Sequence, residues 1–154
     1  MSATDERIKE LGIELPVLGQ TIGTFVHSRR AGNLLFLSGK GPLLPDGVRP
    51  KGKLGADMQL EQGYAHARLV GTLLIAAMRD ALDGDLDRVE AVVKVLGLVN
   101  ATADFVDHFK VVNGCSDVFV EVFGERGWHA RTAAGVNSLP NGIPVEIEAI
   151  VAVR

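Results

Sequence analysis

Between Leu60 and Phe123 the hydrophobic period of the chain changes twice, and few architectures accommodate that change. Apolar positions Leu60, Tyr64, Ala67, Val70, Leu74, Ala77, Met78 and Ala81 recur at intervals of three and four, the stripe of a helix packed on a sheet. The stripe stops at "DGD". "VVKVLGLV", Val92 to Val99, follows as a short β-branched run that reads as a buried strand. Helical spacing then returns at Phe105, Phe109, Val112, Cys115, Phe119, Val122 and Phe123, and Gly124 and Gly127 end it. Asp57 is expected to cap the first of these helices, and Asn100 or Thr102 the second.

Strands must flank this core. "TFVHSRR" and "LLFLSG" form a hairpin candidate around Ala31, Gly32 and Asn33. "HARTAAGV" and "VEIEAIVAV" are two more strands, separated by "LPNG", where Pro140 presets its own φ and Asn141 and Gly142 tolerate positive φ. Gly41 to Gly55 is an irregular loop. Residues 1–19 read as an N-terminal extension packed on the domain: a short polar helix, then "ELPVLGQ", where Pro16 bars its continuation. Residues 20–154 form one domain. The order is β-β-α-β-α-β-β, an α+β fold in which two helices pack on one face of a single mixed sheet. The other face, apolar and rich in glycine and alanine, needs a cover, and self-association supplies one.

Bulk properties exclude several classes. The 154 residues, 47% hydrophobic and 23% charged, bury a core without staples. A formal net charge of −3 offers no general attraction to phosphate backbones, so nucleic acid is not the expected partner. One cysteine, Cys115, forms no internal disulfide and fits a reducing, cytoplasmic setting. No apolar window reaches the roughly 18 residues of a membrane span. The four histidines show no ligand spacing and there is no zinc signature, so no metal is expected.

Arg131 is the leading candidate for chemistry. It opens a stretch of small residues, Thr132 to Val136, with too little bulk to cover a long side chain. Its planar fork suits a carboxylate, and a structural salt bridge is the competing reading. Glu146 and Glu148 share one face of the last strand, where they form either a base or water-positioning pair or an ordinary solvated face. His129, two residues before Arg131, shares its face. Ser38 lacks the setting of a hydrolase nucleophile, although its hydroxyl or the Gly39 amide can line a pocket. Cys115 reads as a small buried hydrophobe.

The set "LFLSGKGP", "LEQGYAHARLV", "VVKVLGLV", "DF" at 104–105 and above all "ARTAAGVNSLPNGIPVEIEAI" resembles the RidA family, also called YjgF or endoribonuclease L-PSP, over roughly residues 20–154. The likeness is to a longer branch with an "LGIELP" extension and a "VNGCSD" helix. The resemblance implies a chorismate-mutase-like fold, a homotrimer with ligand clefts between subunits, and hydrolysis of small 2-imino acids such as 2-aminoacrylate to 2-keto acids and ammonia without a cofactor. It gives Arg131 the role of holding a small-molecule carboxylate substrate and Glu146 that of positioning or activating the attacking water. Phe25, Ser38, Gly39, Asn113, His129 and Ala133 fall at substrate-binding positions. Phe25 stands where many deaminases have tyrosine, Ala133 where cysteine is common, and His129 where proline is. These departures leave a non-catalytic carboxylate-binding or regulatory trimer as the alternative, and the family name adds endoribonuclease as a minor one.

Overall fold

The computed structural model describes all of residues 1–154. Its regular elements are α1 (Ala3–Glu10), β1 (Ser28–Ala31), β2 (Leu34–Lys40), α2 (Leu60–Ala81), β3 (Val89–Asn100), α3 (His108–Phe123), β4 (Ala130–Val136) and β5 (Val145–Val153). The five strands form one sheet in the order β1-β2-β5-β3-β4. β2 and β3 both pair antiparallel with β5, so they run parallel to each other, and β3 pairs parallel with β4. The two helices therefore serve as crossovers between parallel strands, α2 from β2 to β3 and α3 from β3 to β4. Both crossovers advance in the same direction across the sheet. Right-handed connection then places both helices on one face, as the sequence leads one to expect.

On that face Leu35, Leu37, Val92, Val95, Val99, Ile147, Ala149 and Val151 are buried against the helices. Side chains of opposite parity, Phe36, Leu96, Leu98 and Ile150 among them, form the open face with Glu146 and Glu148. Phe36 is 42% exposed there, large for a sheet residue of its size. A second helix layer is absent, and the face mixes these apolar side chains with Lys94, Glu146 and Glu148, so it is not the uniformly apolar, glycine- and alanine-rich surface that the sequence leads one to expect.

α2 and α3 run parallel and close together because glycines stand at their crossing. A Cβ on Gly114 would strike the carbonyl oxygen of Tyr64, and one on Gly71 would meet Val118 and the backbone of Cys115. α1 is tied down by polar contacts: Ala3 and Thr4 donate their amides to Asp87 at 2.9 and 3.0 Å, Arg7 Nε donates to the Glu121 carbonyl, and Ile8 enters the core. No helix is long and apolar enough to cross a membrane.

Several local expectations are corrected. Asp57 does not cap α2. Its Oδ1 accepts the Lys53 amide at 2.7 Å, and the helix starts three residues later behind Gln59, whose amide donates to Gln62. Neither Asn100 nor Thr102 caps α3, which starts after Asp107. Asn100 ends β3 instead, where its Nδ2 donates to the carbonyls of Gly52 and Ile143, and Thr102 donates to Asp104. Phe105 therefore precedes the helix, and Phe109 is half-exposed. The first strand is shorter than "TFVHSRR", with regular pairing confined to Ser28–Ala31 and a two-residue turn at Gly32 and Asn33.

The glycine crossing makes a direct prediction. Gly114→Ala should lower stability in urea denaturation by about 1–3 kcal/mol, the usual cost of an overpacked contact. Gly19→Ala, where an added methyl meets open space, should change it by less than about 0.5 kcal/mol.

Candidate functional site

Arg131 sits on β4, an edge strand, opposite Val95 in the register. Val95 faces the helices, and so does Arg131. Its Nη1 donates to Asn113 Oδ1 at 2.8 Å and to Ser116 Oγ at 3.0 Å, and its Nη2 donates to the carbonyl of Phe109 at 3.3 Å. All three acceptors are neutral, and none of the ion pairs in the chain involves Arg131. Three N–H groups are thus engaged and two remain, from the five that a guanidinium carries. The structural salt bridge that competed with a ligand-binding role does not form within this chain.

The guanidinium opens into a pocket of about 510 Å³ between α3 and the start of β4, lined also by Asn113, Ser116, Asp117, Val120, Glu121, Trp128 and His129. The two acids are turned to partners of their own. Asp117 accepts from the Tyr64 hydroxyl, and Glu121 is bridged by both terminal nitrogens of Arg68. The Arg68 hydrogen bond holds the Glu121 carboxyl below its usual range. Trp128 is 71% exposed at the rim. A cation with unused donors, an apolar rim and occupied acids suit a small organic carboxylate.

His129 lies beside Arg131, as their two-residue spacing predicts. Its ring touches Ser116 Oγ through Nε2 at 2.9 Å and the Gly127 carbonyl through Nδ1 at 2.6 Å. Burial pushes its pKa below the ordinary histidine value; the Gly127 carbonyl opposes that shift and the Arg131 cation adds to it. Phe119 packs edge-on to the imidazole.

The remaining expected residues lie elsewhere. Glu146 pairs with Leu98 in the register and therefore occupies the open face. Gly39 lies under it: an added Cβ there would stand 3.2 Å from the Glu146 side chain. Ser38 donates to the Val26 carbonyl at 2.6 Å, and Phe25 is half-exposed on the segment before β1. β5 and β4 are separated by β3, a lateral distance of roughly 10 Å at ordinary strand spacing, and Arg131 and Glu146 point to opposite sides. Within one chain they do not meet. Ala133 packs against the core beneath the Arg131 side of the sheet. The structure thus gathers Arg131, Asn113 and His129 into one cluster and Glu146, Gly39, Ser38 and Phe25 into another region.

Ser116 was not singled out by its sequence. The available signal was its position one helical turn after Asn113, on the face that meets β4. No group of three His, Cys, Asp or Glu side chains gathers as a metal centre requires.

Residues 5–144 match the family described as "YjgF/chorismate mutase-like, putative endoribonuclease". Protein TCP17 of Trypanosoma cruzi is 40% identical over 145 residues, covering 94% of this chain and 90% of that protein. The crystal structure of the protein Atu1372 from Agrobacterium tumefaciens, described as of unknown function, superposes with a TM-score of 0.90 at 36% identity, over 98% of this chain and 94% of that one. RidA from an Antarctic Psychrobacter superposes with a TM-score of 0.58 at 27% identity, over 87% and 92%. The likeness to Atu1372 takes in the N-terminal extension.

Cys115, fully buried beside this pocket, has its thiol pKa pushed up by burial. It should therefore resist a thiol-specific reagent in the native protein and react stoichiometrically in urea. Rapid labelling of the native protein would contradict the packing of α3.

Proposed function

The chain belongs to the YjgF/chorismate mutase-like family, and on that premise we propose that it hydrolyses the C=N bond of small 2-imino acids, of the 2-aminoacrylate and 2-iminobutanoate type, to 2-keto acids and ammonia in the cytoplasm. The observation that carries this reading is Arg131, held by three neutral acceptors with two N–H groups left over in a pocket of suitable size. An imine carbon is already electrophilic. What a protein adds is a fixed carboxylate, a delivered water and assisted proton transfer, none of which calls for a cofactor.

Arg131 takes the carboxylate and Glu146 positions water. Because these two side chains lie on opposite faces of the sheet, their joint use requires a second copy. We place the site in clefts of a homotrimer, where Arg131 of one subunit meets Glu146 of another and Phe36, Leu96, Leu98 and Ile150 of the open face are covered. Phe25, Ser38 and Gly39, on the Glu146 side, complete the same cleft from the second subunit.

The separation also favours a second reading. A pocket that binds a carboxylate within one chain, without its water-positioning acid, suits a non-catalytic carboxylate-binding trimer. The word endoribonuclease in the family description offers a third, for which an acidic chain with net charge −3 gives little electrostatic support.

Ammonia release from 2-aminoacrylate and 2-iminobutanoate generated in situ separates these readings. Wild-type protein should exceed the buffer rate, and Arg131→Ala should lower kcat/KM by roughly 100-fold or more through lost positioning. No rate above buffer, together with a thermal shift on adding 2-oxobutanoate, would favour the binding protein.

A further inference from the structure

Within the chain, the group that does contact the Arg131 cluster and can move a proton is a serine–histidine pair. Its hydrogen positions follow from which atoms can only donate and which can only accept. The Gly127 carbonyl can only accept, so His129 Nδ1 carries the ring proton and donates to it. The other ring nitrogen, Nε2, is then an acceptor. Arg131 can only donate, so Ser116 Oγ accepts from Nη1, and the single proton of the hydroxyl points to His129 Nε2, 2.9 Å away. The chain of donors runs Arg131 to Ser116 to His129 to Gly127. A serine hydroxyl polarised by a cation on one side and facing a neutral imidazole on the other, with the imidazole oriented by a third group, is the arrangement that readies an oxygen for proton transfer.

We propose that Ser116 and His129 are the proton-transfer couple of the Arg131 pocket, serving as catalytic groups in hydrolysis of a carboxylate-bearing C=N substrate. The inference rests on the 2-imino acid reading. With the substrate carboxylate on Arg131, the imine carbon is one bond from the carboxylate and Ser116 Oγ stands beside the clamp. Water attacks the carbon of the protonated imine, and the C=N electron pair moves to nitrogen. The proton that the attacking water loses passes to Ser116 Oγ as the serine proton passes to His129 Nε2, leaving a neutral carbinolamine and an imidazolium. The same path returns that proton to the amino nitrogen. The C–N bond breaks and ammonia leaves, taking the hydroxyl proton as the ketone forms. The sum is protonated imine plus water to keto acid plus ammonium, with Ser116 and His129 restored. The two carboxylates in the pocket are less suited, since Asp117 is bonded to Tyr64 and Glu121 to Arg68, and neither joins the Arg131 network.

The pair works only while His129 is neutral. The charged and titratable groups facing its pocket are Arg131 on β4 and Asp117 and Glu121 on α3, the latter two engaged by Tyr64 and Arg68 of α2. Burial and the Arg131 cation keep the imidazole uncharged at neutral pH, against the Gly127 carbonyl. Activity should thus hold at neutral pH and fall as pH drops through a point below the ordinary histidine value of about 6.5.

The test is the pH profile of kcat/KM for ammonia release from 2-iminobutanoate between about pH 5 and 9, with wild type, His129→Gln and Ser116→Ala. Wild type should show one acidic limb. His129→Gln should remove that limb and lower kcat by about 100-fold or more, while KM, set by Arg131, moves less than about threefold. Ser116→Ala should lower kcat comparably and also raise KM, since it removes an acceptor of Arg131. A His129→Gln profile that keeps the wild-type limb and rate overturns the couple and leaves the deaminase reading standing. Absence of turnover by wild type overturns both. Imidazole 15N shifts of the unmutated protein add a check independent of variant folding: an Nδ1–H tautomer at neutral pH is expected, and an Nε2–H tautomer contradicts the proposal.

Discussion

The handedness of two crossovers governs this molecule. β2 to β3 and β3 to β4 advance in one direction, so right-handed connections put α2 and α3 on the same face. From that placement follow the core beneath the helices, the uncovered face with Phe36, Leu96, Leu98 and Ile150, and the location of the pocket where α3 meets the edge strand β4. β5, inserted between β2 and β3, binds the sheet together and carries Glu146 to the open side. The helices approach closely only because glycines stand where they cross.

Electrostatics at the pocket follow from the same geometry. An edge strand offers Arg131 a partly open position, and the half of α3 nearest to it supplies a carbonyl, an amide oxygen and a hydroxyl. A guanidinium satisfied by neutral acceptors keeps its full charge for an anion, because no carboxylate of the same chain neutralises it. Orienting contacts of this kind reduce the reorganisation needed when a ligand arrives. His129, on the same side, is held uncharged by burial, so a cation and a base stand side by side without cancelling each other's use.

Much of this was legible in the sequence because it depends on period. The change from helical spacing to a β-branched run and back sets the element order, and period two assigns Val145, Ile147 and Ala149 to the core and Glu146 to the opposite face. Period alone also puts His129 beside Arg131. What it does not carry is register between strands. That Arg131 lies opposite Val95 while Glu146 lies opposite Leu98, hence on different faces, depends on the pairings of β3 with β4 and β5. Capping failed for a related reason: Asp57 and Asn100 have the right side chains for caps, but an amide of Lys53 and the carbonyls of Gly52 and Ile143, distant or non-helical partners, claimed them. Ser116 was hidden as a small polar residue within an apolar stripe, and only the meeting of α3 with β4 gives its hydroxyl two partners.

A crystal structure of the assembled protein with 2-oxobutanoate, the keto acid that the proposed reaction would release, tests most directly whether Arg131 is a carboxylate clamp. The carboxylate is expected on the free N–H groups of Arg131, the keto oxygen near Ser116, and Glu146 of a second copy facing the same ligand. A keto acid bound away from Arg131, or an Arg131 neutralised by an acid from a neighbouring copy, would contradict that role.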